Sequence, residues 1–408
     1  MKILGIETSC DETAAAVVED GVTILSNVVV SQIDIFAAYG GVIPEVAARS
    51  HLEAMMPVIH KALSDADCSW DDIDAIAVTH APGLLGSLLI GTLTARTLAI
   101  LYDKPLYAVH HLKSHIYANW LNGSSQVLAE PIFSTAGLGI SQTSYAGMPA
   151  EPPQSGEPVE SVRNIRLRNS KSFHAVEKIG SATRYSPDFP LLALVVSGGH
   201  TQILYMDSHN HFEIIGTTRD DAVGECFDKV AKILGLPYPG GPSIAAAALD
   251  GDVSKYKLPH PKTSGLDFSF SGLKTAVLRA VQKELGLPIS HPSHDLKNHL
   301  TEAQVADFAA SFQKTTVEIL LEKLKLALRD YPEVKSVVFA GGVSANSELR
   351  KMAMEKFNSG NLTVYFPEPK FSGDNGAMVA AAAYFEIQAG TTPTDPYSLN
   401  IYPRISII

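Results

Sequence analysis

One pattern of three short apolar strands occurs twice in this chain, and it constrains the fold more than any other feature. In the first copy the predicted strands are Ile3–Glu7, Thr13–Val18 and Thr23–Val30. In the second copy they are Leu191–Ser197, Thr201–Met206 and Phe212–Gly216. Alternating helix and strand patterns follow each copy, which is typical of an α/β fold. The repetition predicts a duplicated α/β fold whose two lobes close over a cleft.

The remaining elements are predicted from periodicity and end signals. Further strands are predicted at Ile73–Thr79, Leu106–Val109, Ser336–Phe339 and Leu362–Phe366. Helices are predicted at Pro44–Asp65, Leu84–Leu101, Val223–Leu234, Leu273–Glu284, Thr301–Asp330, Ala345–Phe357 and Asn375–Gln388. The helix signal is clearest at Thr301, where Thr-Glu-Ala-Gln forms a capping box before apolar residues at helical spacing.

Charge and cysteine content exclude several protein classes. With 32 Lys and Arg against 43 Asp and Glu, the net charge is -11. That balance argues against a chain-wide electrostatic grip on nucleic acid and calls for a local basic face or a basic partner. The three cysteines lie far apart, which excludes a disulfide framework and a CxxC site. The start has no signal-peptide pattern, and the most apolar run contains Arg96, so we expect a cytoplasmic chain outside any membrane.

Residues 121–190 interrupt the alternation of strands and helices. Pro, Gly and Ser make up 24 of these 70 residues, which predicts a long loop or a partly disordered insertion. Its basic residues include Arg163, Arg166, Arg168 and Lys171. They could form an arm for RNA phosphates, or belong to a solvated linker in which six acidic residues balance six basic ones.

Two histidines have the spacing of a metal site. His111 and His115 follow a predicted strand, and if a helix begins there they stand at i, i+4 on one face. Asp374 lies at the start of an Ala-rich helix, where its default role is that of an N-cap. If the three side chains met, two imidazoles and one carboxylate would leave coordination positions free for substrate on iron or zinc.

Three Gly-Gly turns, at residues 197–201, 239–242 and 340–346, lie next to predicted helices or strands. Glycine lets a backbone approach a phosphate closely, and helix N-termini offer free N–H donors, although such pairs also serve ordinary tight turns. None of these turns matches the P-loop pattern, which argues against a Walker-type NTPase.

Seven acidic residues are further candidates for chemistry. Glu7, Asp11 and Glu12 lie in the first predicted hairpin, and Asp220, Asp221, Glu225 and Asp228 lie around the helix predicted at Val223–Leu234. Most of them are expected to cap helices or solvate turns, while Asp228 is our candidate for ribose binding. Asp11 or Glu12 is our candidate for proton transfer.

Taken in order, seven motifs resemble one known family. They are Gly5–Thr13, Gly40–Glu45, Ala81–Leu84, His110–His115, Val196–Thr201, Phe268–Thr275 and Gly341–Asn346. Through residues 2–118 and 190–404 the chain resembles the bacterial tRNA N6-adenosine threonylcarbamoyltransferase family. The resemblance implies the duplicated actin-like ATPase fold, also called the sugar-kinase and Hsp70 fold, with two lobes around a nucleotide cleft. It divides the chain into an N-terminal lobe at 1–120 completed by 375–408, the insertion at 121–190, and a C-terminal lobe at 191–374.

The resemblance also implies an activity and a site. Members of the family transfer threonylcarbamoyl from threonylcarbamoyl-AMP to N6 of the adenosine 3′ of the anticodon, position 37, in tRNAs reading ANN codons. By this resemblance the metal ligands are His111, His115 and Asp374, for one iron(II) or zinc ion per subunit. The substrate-binding residues are Val195, Val196, Ser197, Gly198, Gly199, Asp228, Gly241 and Asn346. A smaller inactive paralogue and a P-loop ATPase are the implied partner chains, besides tRNA.

Three other functions were weighed against this one. A metalloprotease would need the Glu of H-E-x-x-H, which His111-Leu112-Lys113-Ser114-His115 lacks. A phosphotransferase of the same fold would use the nucleotide cleft but has no need of the histidines. A non-catalytic binding subunit would keep its function after His111→Ala and His115→Ala.

Overall fold

The computed structural model describes residues 1–37, 39–121, 186–209, 211–357 and 362–405. The predicted insertion at 121–190 lies outside the described residues except for residue 121 and residues 186–190. The basic positions Arg163, Arg166, Arg168 and Lys171 are among those outside. The bounds of the insertion and of the two lobes stay a prediction.

The first sheet has five strands, built from the first copy of the repeated unit and two later strands. They are β1 (Lys2–Glu7), β2 (Glu12–Glu19), β3 (Thr23–Ser31), β4 (Ala75–Ala81) and β5 (Leu106–His110). The spatial order is β3-β2-β1-β4-β5. Strands β1, β2 and β3 pair antiparallel, whereas β4 runs parallel to both β1 and β5.

The second sheet repeats this topology strand for strand. Its strands are β6 (Leu191–Val196), β7 (Thr201–Ser208), β8 (His211–Thr217), β9 (Ser336–Ala340) and β10 (Thr363–Tyr365). The spatial order is β10-β9-β6-β7-β8, and the pairs that correspond to those of the first sheet have the same relative directions. The duplicated α/β fold of the actin-like class is therefore confirmed.

Eleven α-helices lie in the described part of the chain. They are α1 (Ile33–Ala37), α2 (Pro44–Asp65), α3 (Leu85–Leu101), α4 (His111–Tyr117), α5 (Val223–Leu234), α6 (Gly240–Ala247), α7 (Ser271–Glu284), α8 (Glu302–Asp330), α9 (Ser347–Phe357), α10 (Pro369–Ser372) and α11 (Gly376–Gln388). The predicted capping box opens α8, since Thr301 and Gln304 each bond the other's backbone N–H. Among these helices, none combines the length and apolarity that a bilayer crossing requires.

Three apolar clusters arrange the helices in layers. Helices α2 and α3 cover one face of the first sheet, while α5, α7, α8 and α9 cover the corresponding face of the second. Residues of α4 and α11 share the third cluster with the remaining faces of both sheets. Burial of apolar surface on both sides of each sheet explains why the strands read as near-continuous apolar runs.

Helix α11 packs very closely on the first sheet. A Cβ added at Gly5 would lie 2.2 Å from the carbonyl oxygen of Gly376, and one added at Gly376 would lie 2.6 Å from the backbone nitrogen of Ala16. Both distances are shorter than any side chain tolerates, so glycine is required at each position. This contact fixes the start of α11 against β1 and β2. It therefore also fixes Asp374, which lies two residues before Gly376.

Candidate metal centre

Helix α4 begins directly after β5 and presents two buried imidazoles. His111 is its first residue, and His115 follows one turn later on the same face, as the spacing predicts. The two ring centroids are 4.6 Å apart, with the planes at 77°. His110 caps the helix, because its ring nitrogen accepts a hydrogen bond from the Leu112 N–H at 3.2 Å. The short helix therefore holds both side chains in a fixed relation.

Asp374 is not the cap of α11, so its default interpretation as an N-cap is wrong. Asn375 fills that role, since its side-chain oxygen accepts a hydrogen bond from the Met378 N–H at 2.9 Å. The Asp374 carboxylate points instead to the histidines. Its Oδ1 lies 3.2 Å from Nε2 of His115 and 3.6 Å from Nε2 of His111.

The chemistry of this triad fits a divalent metal ion. One ligand atom from each of the three residues lies within 4.8 Å of the other two. His115 is 1% exposed, yet neither of its ring nitrogens makes a hydrogen bond to a described residue, and its approach to Asp374 lacks hydrogen-bond geometry. Buried polar atoms are rarely left without partners. Two imidazoles and a carboxylate are the donor set that iron(II) and zinc accept, with further positions left open.

Glu7 orients the first histidine from behind. Its Oε2 lies 3.2 Å from Nδ1 of His111 and accepts a hydrogen bond from the Thr79 hydroxyl at 2.5 Å. The Ser9 backbone N–H donates to Oε1 at 2.5 Å, so both oxygens of this fully buried carboxylate are engaged. A carboxylate in this place holds the proton on Nδ1 and leaves Nε2 free for a metal.

The electrostatics of the site favour a positive charge. Burial opposes the charged form of His111, but the carboxylates of Asp374 and Glu7 outweigh it and raise its pKa to about 9. Burial likewise opposes the charged form of Asp374, and the charges of the histidines overcome it and lower its pKa to about 2. Surroundings that stabilise a buried imidazolium also attract a metal cation.

Asp11 and Glu12 are two acidic residues beside this centre. Burial, followed by the charges of Asp11 and Asp374, raises the pKa of Glu12 well above its usual value. Its Oε1 accepts a hydrogen bond from the Ser31 hydroxyl at 3.1 Å. These surroundings therefore favour the protonated form of Glu12.

The turn after β6 forms an open backbone cradle. Val195 and Val196 are fully buried within β6, so the part of this turn that a ligand can reach begins at Ser197. A Cβ added at Gly198 or Gly199 would meet no described atom within 4 Å. Behind the turn, a Cβ at Gly224 would lie 2.7 Å from the Ser197 carbonyl oxygen, so the first turn of α5 backs directly onto the cradle.

Of the other predicted substrate-binding residues, Gly241 is open to a ligand, whereas Asp228 and Asn346 already make hydrogen bonds within the protein. A Cβ at Gly241 would meet no described atom within 4 Å, which leaves the start of α6 approachable. Asp228 accepts a hydrogen bond from the Gly240 N–H at 2.7 Å, and burial raises its pKa although this bond opposes the shift. Asn346 caps α9 through the Leu349 N–H and donates to Gln313 at 2.8 Å, so its amide is occupied.

His200 is a neighbour of the centre that sequence reasoning did not single out. Burial, together with the positive charges of His111 and His115, lowers its pKa to about 4. It is therefore neutral at physiological pH. Its place in the Ser-Gly-Gly-His turn was the only signal in the sequence, since nothing in its spacing connects it to the histidines of α4.

Arg350 is a second residue that the sequence did not reveal. From α9 it donates to the Ser344 carbonyl at 2.8 Å and to the Pro367 carbonyl at 2.6 Å. It thus ties the glycine turn after β9 to the segment that leads to Asp374. Burial lowers its pKa to about 10, so it keeps its charge.

Comparison of the sequence with known proteins finds matches to one family. The sequence model of the tRNA N6-adenosine threonylcarbamoyltransferase family matches residues 23–136 and 169–381. A protein of that name from Symbiobacterium thermophilum is 42% identical over 406 residues, 99% of this chain and 96% of the relative. Another, from Caldicellulosiruptor saccharolyticus, is 40% identical over 409 residues, 100% of this chain and 99% of the relative.

Similarity to solved structures is more distant. The activator of the 2-hydroxyisocaproyl-CoA dehydratase from Clostridium difficile is 12% identical, with a TM-score of 0.44 over 95% of this chain and 96% of that chain. Classification therefore rests on the sequence matches, which extend over almost the whole length of both partners. On those matches, this chain belongs to the tRNA N6-adenosine threonylcarbamoyltransferase family.

Proposed function

We propose that this chain transfers a threonylcarbamoyl group to the N6 atom of an adenosine in tRNA. The observation that carries the proposal is the match to relatives of that name over 99% of the chain. The triad of His111, His115 and Asp374 beside an open glycine cradle supports it, because a binding protein of this fold would not need those imidazoles. A tRNA-modifying activity also supports the predicted cytoplasmic location.

The donor and acceptor are proposed at finer detail. We take the donor to be threonylcarbamoyl-AMP and the acceptor to be the adenosine 3′ of the anticodon, position 37, in tRNAs reading ANN codons. The amine of adenine is a poor nucleophile, since its lone pair is delocalised into the ring. A weak nucleophile requires an activated donor. A mixed carbamic–phosphoric anhydride is such a donor, because AMP is a good leaving group.

The triad is proposed to hold one divalent ion per subunit, iron(II) in first place and zinc as the alternative. When bound, such an ion would supply Lewis-acid polarisation of the donor's carbamoyl oxygens. The residues around it have roles of their own. Glu7 fixes the tautomer of His111, and the Thr79 hydroxyl fixes Glu7 in turn.

The cradle and the carboxylates are proposed to position the reactants. We propose that the backbone N–H groups of Gly198 and Gly199 face the phosphate of the adenylate, while Ser197 closes the turn by donating its own N–H to the His200 carbonyl. Asp228 would face the ribose through the oxygen that Gly240 leaves free. Val195 and Val196 support that backbone from the core, while Gly241 and Asn346 border it. Because its surroundings raise the pKa of Glu12 and favour its protonated form, Asp11 is the proposed acceptor of the amine proton.

Partner chains are part of the proposal. Leu85, Leu89 and Leu93 lie at i, i+4 and i+8 along α3 and are 60%, 43% and 45% exposed. With the exposed Leu52 of the neighbouring α2, they form a surface that we call the α2–α3 apolar face. Apolar faces of this kind mark protein interfaces, and we assign this one to the smaller inactive paralogue. A P-loop ATPase would be a third chain, and a partner would also offset the net charge of -11 toward tRNA.

The proposal is tested by reconstitution. Purified chain loaded with iron(II) or zinc is incubated with threonylcarbamoyl-AMP, unmodified tRNA and the candidate partners, and digested tRNA is examined by mass spectrometry. N6-threonylcarbamoyladenosine should form, and it should be absent with His111→Ala. Full activity of that variant would point to a non-catalytic subunit. Transfer of γ-phosphate from ATP to a small molecule, without any modified nucleoside, would point to a phosphotransferase.

A further inference from the structure

A second group of metal-binding side chains lies in the loop between α7 and α8. The pattern is His-x3-Asp-x3-His, formed by His291, Asp295 and His299. Nε2 of His291 lies 2.9 Å from Oδ2 of Asp295, and Nε2 of His299 lies 3.0 Å from the same oxygen. One ligand atom of each residue falls within 4.8 Å of the other two. None of the three belongs to the candidate metal centre.

The loop that carries these three residues is fixed by contacts with α7 and with the core of the second sheet. Gln282 of α7 is buried, and its amide donates to the carbonyl oxygens of Ile289 at 3.1 Å and His291 at 3.0 Å. Leu296, between Asp295 and His299, is fully buried in the core of the second sheet. The three ligand residues therefore flank fixed points of the backbone, and little ordering would remain to oppose binding.

The central carboxylate is ready to bind a cation. Its other oxygen, Oδ1, accepts a hydrogen bond from the Asn298 amide at 3.0 Å. A bridging hydrogen bond between imidazole and carboxylate uses the same Nε2 atom that a metal would take.

The separations suit a tetrahedral or octahedral ion. With metal–ligand bonds of about 2.0–2.1 Å, neighbouring ligand atoms stand roughly 3 Å apart, close to the distances found here. The side chains of His291, Asp295 and His299 are 21%, 35% and 46% exposed, so water can complete the coordination.

We propose that His291, Asp295 and His299 form a second site for a divalent transition-metal ion of the zinc type. The proposal goes beyond the transferase function and does not depend on it. In the absence of metal the same residues form a hydrogen-bonded cluster. Bound zinc would cross-link the second half of the loop between α7 and α8 and stabilise that part of the second lobe.

Zinc stoichiometry tests the proposal. The full chain carrying H111A/H115A, which removes the first site, is stripped with chelator, dialysed and titrated with zinc chloride. We expect one zinc per chain, lost on adding H291Q/H299Q. His294 lies in the same loop but outside the triad, so H294Q is the matched control and should keep the ion. Zinc should also raise the melting temperature of the H111A/H115A chain but not that of the quadruple variant.

Two results would overturn the proposal. One is an unchanged zinc stoichiometry after H291Q/H299Q, and the other is an equal loss with H294Q, which would indicate loose binding by any histidine of the loop. H299Q alone, at the most exposed of the three positions, guards against a folding defect and should by itself release the ion. Transferase activity plays no part in these measurements, so failure here leaves the proposed function untouched.

Discussion

Oε2 of Glu7 lies 3.2 Å from Nδ1 of His111, on the side of the ring opposite Nε2, the proposed metal ligand atom. Both partners are buried, and the second nitrogen of the ring faces Asp374. The strand at the very start of the chain thus controls the orientation and tautomer of a histidine from α4. Substitutions at Glu7 are the most direct way to separate the support of the site from its ligands.

Replacing Glu7 with Gln should weaken metal binding without removing a ligand. The amide cannot hold the Nδ1 proton as the carboxylate does, and loss of such a partner typically costs about 10–100-fold in metal affinity. Competition with a chromogenic chelator measures the change. Glu53→Gln, at an exposed position of α2, is the control and should behave as wild type. Equal affinities for the Glu7 variant and wild type would contradict the role assigned to Glu7.

Asp374→Ala and Asn375→Ala should affect different properties of the protein, metal binding and stability, although the two residues are adjacent. Asp374→Ala should abolish metal binding and activity while leaving α11 capped. Asn375→Ala removes the cap and should lower the free energy of unfolding by about 1 kcal/mol, with metal still bound. Metal analysis and urea unfolding of the two variants check this, and a loss of metal in both would show that the two roles are not separate.

The carboxylates of Asp11 and Glu12, at the start of β2, should differ in their response to substitution by the isosteric amide. Burial and the neighbouring carboxylates raise the pKa of Glu12 and favour its neutral form, which glutamine imitates, so Glu12→Gln should retain most of the single-turnover transfer rate. Asp11→Asn removes the proposed proton acceptor and should slow transfer by about 10²–10⁴-fold. Donor binding, followed by equilibrium dialysis, should survive in both. If Asp11→Asn transfers at the wild-type rate with donor bound, Asp11 is not the base.

His51 should make stability depend on pH in the weakly acidic range. The ring is fully buried against Thr13 and the Cys10 carbonyl, and burial lowers its pKa below the usual value. The unfolded chain therefore binds the proton more readily. Its contribution to stability is complete above about pH 6.5 and is lost as the pH falls toward the folded pKa, by at most about 1.4 kcal/mol per pH unit.

The variant His51→Gln isolates this contribution. Urea unfolding at pH 7.5 and pH 5.5 should show a smaller drop in the free energy of unfolding for the variant than for wild type. His209, whose pKa burial lowers to about 4, and other buried histidines contribute to the drop in both proteins, so the comparison concerns the difference. Identical drops would show that His51 titrates normally in the folded state.

A charge on the α2–α3 apolar face should prevent assembly with the paralogue. Leu89→Glu places a carboxylate in the middle of the exposed stripe on α3, and burying it unpaired would be costly. We expect loss of the complex in size-exclusion chromatography, with the metal content of the chain unchanged. Leu249→Glu is the matched control, since Leu249 is 78% exposed after α6. Assembly of the Leu89 variant as wild type would move the interface elsewhere.

Sequence patterns predicted the positions of helices and strands better than the way these elements are arranged in space. The strands of both repeats, the helix at Pro44–Asp65 and the capping box at Thr301 match the structure because period and cap chemistry are local. The order of strands within each sheet is not local, and only the repetition hinted that the two sheets would share it. The i, i+4 histidines were likewise readable from spacing alone.

The rest of the site depended on contacts between distant segments. Nothing in the sequence distinguished Asp374 from Asn375 as the cap of α11, since either side chain can fill that role. Glu7 was noted as an acidic residue of the first turn, but its place behind His111 follows from the parallel arrangement of β1, β4 and β5. His200 reaches the centre only because the second repeat brings its turn there.

The close fit of Gly376 against β1 fixes the third proposed ligand in a part of the chain that is synthesised long after the two histidines. The histidines of α4 emerge early, but their carboxylate comes from the segment just ahead of α11, which is anchored on strands made at the very beginning. A ribosome must therefore translate past residue 374 before an ion could be held by all three proposed ligands. A fragment that stops short of residue 374, through early termination or proteolysis, keeps the imidazole pair without its anionic partner.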